Sequence, residues 1–478
     1  YDKAWQRLAE FNPMPATIGR ICPHPCEDLC SRQEKDGAVS INAMERFLGD
    51  WALSRSLELP LPPEESYPES VGVIGSGPAS MSFAYQMARR GYKVTIYDKD
   101  DRPGGMLRHA IPDYRLPREV LDAEVDRILE LNIALVSNVD VGNDLSLEQL
   151  REEHELVFLG LGAQAARRLD VPGENGPGVI SGIDYLRQRK HGETTGCGRQ
   201  VLVIGGGNTA IDAARSARRD GAAVTLVYRR SESEMPATAH EVQDARIEGI
   251  QFRFLAAPTR VIRDGKKVQQ VEIQSMRLAE PDADGRRRPE PIRGAFDLLP
   301  ADTVIVAVSQ APGWQSADSV LKPGSWLRAE DHGELQQRLF AGGDDLGPGI
   351  ASRAIGQGRH AAEAAHADLR GLARPPLQPT LPLVSGDSVR ADYYADRPRS
   401  QDSRLPEDEW LACPDAEIDQ TLSYQQASEE AARCMSCGLC FDCQQCFMYC
   451  NAGGFIRIDE TRPGRYFAIA LEACEGCG

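Results

Sequence analysis

The spacing of apolar and polar positions changes character along this chain, and the changes divide it. Residues 1 to 60 hold proline-punctuated loops and one helical stretch, Ala43 to Leu57, with no strand pattern, which predicts a small helical unit. Pro60 to Pro68, PLPPEESYP, reads as a linker, because proline denies it both helix and ladder hydrogen bonds. Beyond it, short apolar runs alternate with helical ones. Val71 to Ile74 is a strand that runs directly into Gly75-Ser76-Gly77-Pro78-Ala79-Ser80 and a helix, and Lys93 to Tyr97 is the next strand. The same unit recurs as the strand Val201 to Ile204, Gly205-Gly206-Gly207-Asn208-Thr209-Ala210, a helix and the strand Ala223 to Tyr228. Two βαβ units in one chain predict an α/β fold with two Rossmann-like nucleotide sites. Gln251 to Gln274 reads as antiparallel strands, Asp302 to Val308 closes the second domain, and Leu339 to Asp344 returns as a strand of the first. From Arg374 to about Cys413 the chain is rich in Pro, Asp, Arg and Ser, as in a linker crossing a surface, and a cysteine-dense tail follows.

With 478 residues and 44 glycines, the chain has room for about three domains, each able to bury its own core. Its net charge of -17 disfavours nucleic acid and an anionic membrane surface, because the long-range field repels phosphate. An acidic surface suits a protein partner better. No apolar run reaches the roughly 18 residues a membrane span needs, so no crossing is expected. Residue 1 is Tyr rather than Met, and a leader or further domain upstream is expected to lie outside this window.

The 13 cysteines are clustered: three lie at positions 22 to 30 and eight between Cys434 and Cys477, leaving only Cys197 and Cys413 alone. A secreted disulfide scaffold would be short and cysteine-dense throughout, so metal ligation in a reducing compartment, the cytoplasm, explains the pattern better. No Ser-His-Asp or H-E-x-x-H arrangement is present, and no catalytic side chain is singled out.

In the first glycine loop, Gly75 permits the tight turn and Gly77 lets backbone N–H groups approach a pyrophosphate, with a helix N-terminus supplying positive potential. Asp98 lies 23 residues after Gly75, where a carboxylate accepts hydrogen bonds from an adenosine ribose. In the second unit the strand ends in Tyr228-Arg229-Arg230, 24 residues past Gly205. Two arginines there can pair with a 2′-phosphate, which favours NADP, although a solvated basic strand end is the plainer alternative.

The segments VIGSGPAS, YDKDDRPGGML, IPDYRLP, VFLGLGA, VIGGGNTAIDAARSARRDGA, YRRSESEMP and LFAGGDDLGPGIASRAIGQGRHAAE occur here in the order seen in another group of proteins. From about Pro13 to Leu369 the chain resembles the glutamate synthase small-subunit family, which includes the flavin domains of dihydropyrimidine dehydrogenase and of ferredoxin:NADP transhydrogenases. The resemblance implies FAD at the first site and NAD(P)H at the second. It places FAD contacts on Gly75, Gly77, Pro78, Ala79, Asp98, Gly105, Leu107 and Arg115, with Gly343 and Asp344 at the ribityl chain. Gly349, Ile350 and Ala351 would set a helix N-terminus against the flavin, where its positive end stabilises the anionic reduced ring. NAD(P) contacts would fall on Gly207, Asn208, Thr209, Arg229 and Arg230. Where relatives carry a glycine, this chain has Ala307-Val308-Ser309 followed by Gln310, so contacts to the nicotinamide half are expected to differ.

In the tail, Cys440, Cys443, Cys446 and Cys450 form the C-x2-C-x2-C-x3-C run of bacterial ferredoxins, with Cys434 and Cys437 surplus to it. A structural zinc site wants two C-x2-C knuckles a dozen or more residues apart, which this run does not offer. Cys474 and Cys477 look like the start of a second run that the window cuts off. Near the other end, Cys22, Cys26 and Cys30 in GRICPHPCEDLC resemble the family's amino-terminal iron-sulfur domain. A 4Fe-4S cluster wants four ligands, and the fourth is expected before Tyr1; His24, inside the motif, reads as solvated.

These readings give an N-terminal helical iron-sulfur domain over 1–62, an FAD domain over 69–182 and 313–372, and an inserted NAD(P) domain over 183–312. A linker over 373–415 and a ferredoxin-like domain over 416–478 complete them. The parts imply an oxidoreductase that passes electrons between NAD(P)(H), FAD and 4Fe-4S clusters to or from a redox protein partner, with the direction open. The tail beginning ARCMSCGLCFDCQQCFMYC resembles the DsrL-type iron-sulfur flavoproteins, which implies dissimilatory sulfite reductase as that partner and a role in sulfur oxidation. The alternatives are a glutamate synthase small subunit supplying electrons from NADPH, and a zinc-containing docking protein without redox turnover. Assembly as a homodimer stays open.

Overall fold

The computed structural model describes residues 1–59, 66–281, 287–314, 321–322, 324–377, 391, 394–435, 442, 444–462 and 465–474. Most of the expected linker Pro60 to Pro68, and Cys437, Cys440, Cys443 and Cys477, lie outside these residues.

Two parallel sheets dominate. The first runs in the order Glu334–Gln336, Leu339–Ala341, Leu156–Leu159, Ser70–Ile74, Lys93–Tyr97, Ile133–Val136, parallel except for the outermost Glu334–Gln336. Val71, Val73, Leu156 and Phe158 are buried, as the short unbroken apolar runs of a sheet covered on both faces require. The second sheet orders Val179–Ser181, Thr303–Val306, Gln200–Ile204, Ala223–Tyr228, Gln251–Phe254, all parallel. It is inserted into the first, since Leu339–Ala341 rejoins the first sheet beside Leu156–Leu159 after the second is complete. Where the chain crosses between them, outgoing Ala165–Ala166 and returning Gln310–Ala311 pair as a short antiparallel ladder.

Two local expectations are corrected. The stretch 251 to 274 is not antiparallel throughout. Gln251–Phe254 is the parallel edge of the second sheet, Leu255 turns with a φ of 52°, and only then do Ala256–Asp264, Lys267–Pro281 and Arg287–Pro300 form an antiparallel sheet. The amino-terminal unit holds more helix than its proline content suggested. Besides Ile41–Ser54 it contains Asp2–Ala9, Pro15–Ile21, Pro25–Asp28 and Gln33–Asp36. Two of these begin on proline, whose missing N–H costs nothing in a first turn, so the prolines start helices rather than interrupt them.

Within the segment expected to be a surface linker, Trp410 is buried. Just beyond it Ile418 and Leu422 are buried, and Tyr424–Ala431 lies against Ile41–Ser54 with Ala427 and Phe47 in one apolar cluster. The described tail continues into the short helix Gln445–Tyr449 and the hairpin of Phe455–Arg462 with Arg465–Ile469.

The amino-terminal unit is fastened to the first sheet's helices by a borrowed cap. Pro15–Ile21 has no side-chain cap of its own; instead the fully buried Glu124, on Arg118–Leu129, accepts the N–H groups of Ala16 at 2.7 Å and Thr17 at 2.8 Å. Burial pushes the Glu124 carboxyl from its ordinary 4.5 up to about 7, against the pull of those two donors. A folded-state pKa above the unfolded one means that the native protein holds the proton more tightly. The protonated form's extra stability is therefore present in full below pH 4.5 and lost as pH rises through about 7. Glu124→Gln is expected to flatten that decline in melting temperature measured across this window, and Glu124→Ala to cost about 1–3 kcal/mol in denaturant titration by stranding both N–H groups.

Candidate functional site

One cleft of about 1240 Å³ runs between the carboxyl ends of the two parallel sheets. Both glycine loops open into it. At its first end, Ser70–Ile74 stops at Gly75, whose φ of 80° and close approach to Gly160 demand glycine: an added Cβ would sit 2.3 Å from the Gly160 carbonyl oxygen. Gly77 then caps Pro78–Ala88, and a Cβ there would meet no protein atom within 4 Å, because the position faces the open cleft. Pro78, Ala79, Gly105 and Leu107 line the same end. Asp98, at the tip of the second strand, is buried; its Oδ2 accepts the Ser76 hydroxyl at 2.5 Å and its Oδ1 the Asp100 N–H at 2.8 Å. A carboxylate has about four lone-pair sites, so acceptor capacity remains on the cleft side.

At the far wall, Gly343, Asp344, Gly349 and Ile350 lead into the helix Ala351–Arg370, whose first turn also lines the cleft. Asp344 accepts the Gly349 N–H at 3.0 Å, and burial pushes its carboxyl up. Its neighbour Asp345, which the sequence motifs did not single out, is fully buried and does not reach the cleft. Instead it accepts the N–H of Leu161 at 3.0 Å and that of Gly162, fixing the loop after Leu156–Leu159. Burial pushes the Asp345 carboxyl up to about 8.

The second glycine loop faces the first. Gly207 caps Asn208–Arg219, and Asn208 and Thr209 line the cleft. Arg229 and Arg230 stand at the end of Ala223–Tyr228. Arg230 donates from Nε to the Arg287 carbonyl at 3.0 Å, whereas Arg229 is exposed and has no ion-pair partner among the described residues. Arg115 also lines the cleft, but its cationic end is engaged with the opposite unit. Its Nη1 meets both oxygens of Asp212, at 2.8 and 2.9 Å, and its Nε lies 2.9 Å from Glu241. Neither carboxylate was legible as a partner, because the pairing spans 97 residues of sequence.

The described cysteines lie outside the cleft's lining, with one region at its rim. Ile21 and Pro23, on either side of Cys22, line the cleft. Backbone N–H groups point at three of the expected ligand sulfurs: His24 at Cys22 (3.4 Å), Val39 at Cys30 (3.5 Å) and Gly454 at Cys450 (3.2 Å). Cys26, Cys446 and Cys474 are exposed, and Cys22, Cys26, Cys30, Cys446, Cys450 and Cys474 form no disulfide among the described residues. His24 turns its Nδ1 back on the Cys22 carbonyl at 3.1 Å. Among the described residues, no three His, Cys, Asp or Glu side chains converge where a single ion would sit. The difference between the two loop glycines is measurable: Gly75→Ala is expected to destabilise the fold by about 1–3 kcal/mol, and Gly77→Ala by less than about 0.5 kcal/mol, in equilibrium unfolding.

Residues 69–358 match the pyridine nucleotide-disulphide oxidoreductase family, and residues 1–57 match dihydropyrimidine dehydrogenase domain II, the 4Fe-4S cluster domain. The NADPH-Fe(3+) oxidoreductase subunit beta of Geobacter sulfurreducens is 41% identical over 65% of this chain and 48% of its own length, so the chain spans about half of that relative. The NADP(+)-dependent formate dehydrogenase subunit beta of Moorella thermoacetica is 34% identical over 91% of this chain and 67% of its own. A putative glutamate synthase [NADPH] small chain of Cereibacter sphaeroides is 36% identical over 72% of this chain and 89% of its own. No helix among the described residues is long and apolar enough to cross a membrane. The chain belongs to the pyridine nucleotide-disulphide oxidoreductase family, in its glutamate synthase small-subunit-like branch, as an NAD(P)H-dependent iron-sulfur flavoprotein that uses FAD and a 4Fe-4S cluster.

Proposed function

We propose that this chain is the electron-transfer subunit of a larger redox assembly, exchanging electrons between NADP(H) at one end of its cleft and, through FAD and iron-sulfur clusters, a protein partner. The observation that carries this reading is the single cleft into which both glycine loops open, with the neighbours of Cys22 at its rim. FAD belongs at the Gly75 loop: the empty space over Gly77 is a cradle for a pyrophosphate, and Asp98 has acceptor capacity left for a ribose. The turn Gly349-Ile350-Ala351 would meet the flavin ring with a helix N-terminus, favouring its anionic form. NADPH belongs at Gly207, Asn208 and Thr209, where Arg229, exposed and without an ion-pair partner among the described residues, supports recognition of a 2′-phosphate. Arg115 serves this site by holding the opposite unit through Asp212 and Glu241.

When bound, flavin accepts the two electrons of a hydride together and releases them singly, which is what couples a nicotinamide to one-electron clusters. The chain's own residues position the nucleotides. Cys22, Cys26 and Cys30 would hold an amino-terminal cluster, and the N–H groups directed at Cys22 and Cys30 suit sulfurs that carry negative charge as ligands. Cys446, Cys450 and Cys474 would contribute to clusters in the tail, together with Cys440, Cys443 and Cys477. The free thiols of Cys22, Cys26 and Cys30 accord with a reducing cytoplasm.

The partner is read from the tail, and dissimilatory sulfite reductase is the one proposed. The relatives named above belong by name to assemblies with different electron acceptors and donors, so the flavin portion alone does not choose among them. The glutamate synthase large subunit is the second reading, favoured by the small-chain relative matched over most of its length.

Purified protein is expected to show flavin and iron-sulfur absorbance and to oxidise NADPH with an artificial acceptor, and sulfite reductase is expected to replace that acceptor. Flavin without iron would sink the electron chain, and stimulation by glutamate synthase large subunit alone would reverse the choice of partner. Arg229→Ala is expected to raise KM for NADPH roughly ten- to hundredfold while leaving that for NADH unchanged, the loss of one charge-assisted contact. Steady-state kinetics with both nucleotides checks it.

A further inference from the structure

One contact joins the amino-terminal unit to the helix that faces the flavin site. Cys22 caps the C-terminus of Pro15–Ile21, and its Sγ lies 3.5 Å from the hydroxyl oxygen of Ser352, the second residue of Ala351–Arg370. On the sequence these residues are 330 positions apart. On the cleft side, Ile21 and Pro23 flank Cys22 while Gly349, Ile350 and Ala351 precede Ser352, so the contact sits just behind the wall both segments share. Both residues are half-buried, which shields the contact from water.

We propose that Ser352 is a positioning residue for the amino-terminal cluster, acting through Cys22: its hydroxyl donates to the cysteine sulfur and holds that cluster's reduction potential up. The inference rests on the assignment of Cys22 as a cluster ligand made above. In the free thiol the S–H donates to the Ser352 oxygen. A sulfur bound to iron has lost its proton and can only accept, so the roles reverse and the hydroxyl turns toward the sulfur. Adding an electron makes a cluster more negative, and a donor aimed at a ligand sulfur stabilises that state more than the oxidised one.

Cys22 is unevenly favoured among the three cysteines. It accepts the His24 N–H and lies against the Ser352 hydroxyl, Cys30 accepts the Val39 N–H, and Cys26 is exposed. The first turn of Ala351–Arg370 adds positive helix potential on the same side. The ligand nearest the flavin wall is therefore the one whose surroundings most favour an arriving electron.

The test is an anaerobic redox titration of the full chain, reconstituted with iron and sulfide and followed by electron paramagnetic resonance. Cys22→Ser first identifies the amino-terminal cluster as the signal lost together with part of the iron. Ser352→Ala is expected to keep flavin absorbance and iron at wild-type levels while the midpoint of that signal moves to a more negative potential. Ser352→Thr, which retains the hydroxyl, is expected to titrate like wild type. An unmoved midpoint in Ser352→Ala with full iron, or a threonine variant displaced as far as the alanine one, overturns the role of the hydroxyl. Full iron and every signal retained in Cys22→Ser overturn instead the assignment of Cys22 as a ligand.

Discussion

Arg115 reaches out of the first nucleotide-binding unit into the second, and the cleft depends on that hold. Around it lies a buried lattice of opposite charges: Arg215 bridges Glu241 at 2.6 Å and Glu248 at 2.9 Å, Arg219 meets Glu248 at 2.7 Å, and Arg404 meets Asp244 at 2.7 Å. Four arginines face four carboxylates, Asp212, Glu241, Asp244 and Glu248, so charge is compensated inside the seam. Tyr114 fills the middle, fully buried, with the guanidinium groups of Arg219 and Arg215 4.0 and 4.7 Å from its ring centre. Such a lattice adds little over an apolar seam of the same volume, but removing one partner strands a buried charge at a cost of about 3–5 kcal/mol. What it supplies is geometry. Ridged apolar surfaces tolerate sliding, whereas Arg115, paired with Asp212 and Glu241 at once, holds the two nucleotide units in one register.

A second set of contacts brings the amino-terminal unit into the same body. Glu417, on the packed tail segment, accepts Arg20 at 2.6 Å and Arg46 at 2.9 Å, both from that unit, while Ile418 donates its N–H to the Tyr114 carbonyl at 3.2 Å. Farther along, Arg433 donates to the carbonyls of Gly37 at 2.7 Å and Ala38 at 3.0 Å, next to the Val39 N–H that reaches Cys30. The tail thus straps the cysteine-bearing unit against both nucleotide units. Electron transfer between fixed centres needs constant distances, and a strap held by buried ion pairs supplies them without a large apolar core between units.

Part of this was legible in the residues. The two βαβ units follow from short apolar runs ending in glycine, since a strand buried on both faces must be apolar and the turn into its helix must admit a positive φ at Gly75. The same logic places Asp98 and Arg229 at strand tips, and all eighteen residues expected at the two nucleotide sites line one cleft. What was not legible had no local signature. Trp410 sits in a stretch whose composition reads as linker, and its burial is decided by Tyr114 and Arg215, far away in the sequence. The short helices at Pro15 and Pro25 fall below the length at which periodicity registers, and one of them is capped by Glu124 from another unit.

The sequence by itself determined which elements form and which chemistry each loop can bind, because strand burial, glycine turns and cysteine spacing act over a few residues at a time. Only the tertiary structure decided how those pieces face one another: that Arg115 is committed to Asp212 and Glu241, that Asp345 rather than Asp344 fixes the loop at Leu161, and that Cys22 meets Ser352. Each of these joins residues separated by at least 97 positions. No local pattern encodes such a meeting; it follows from how the units pack.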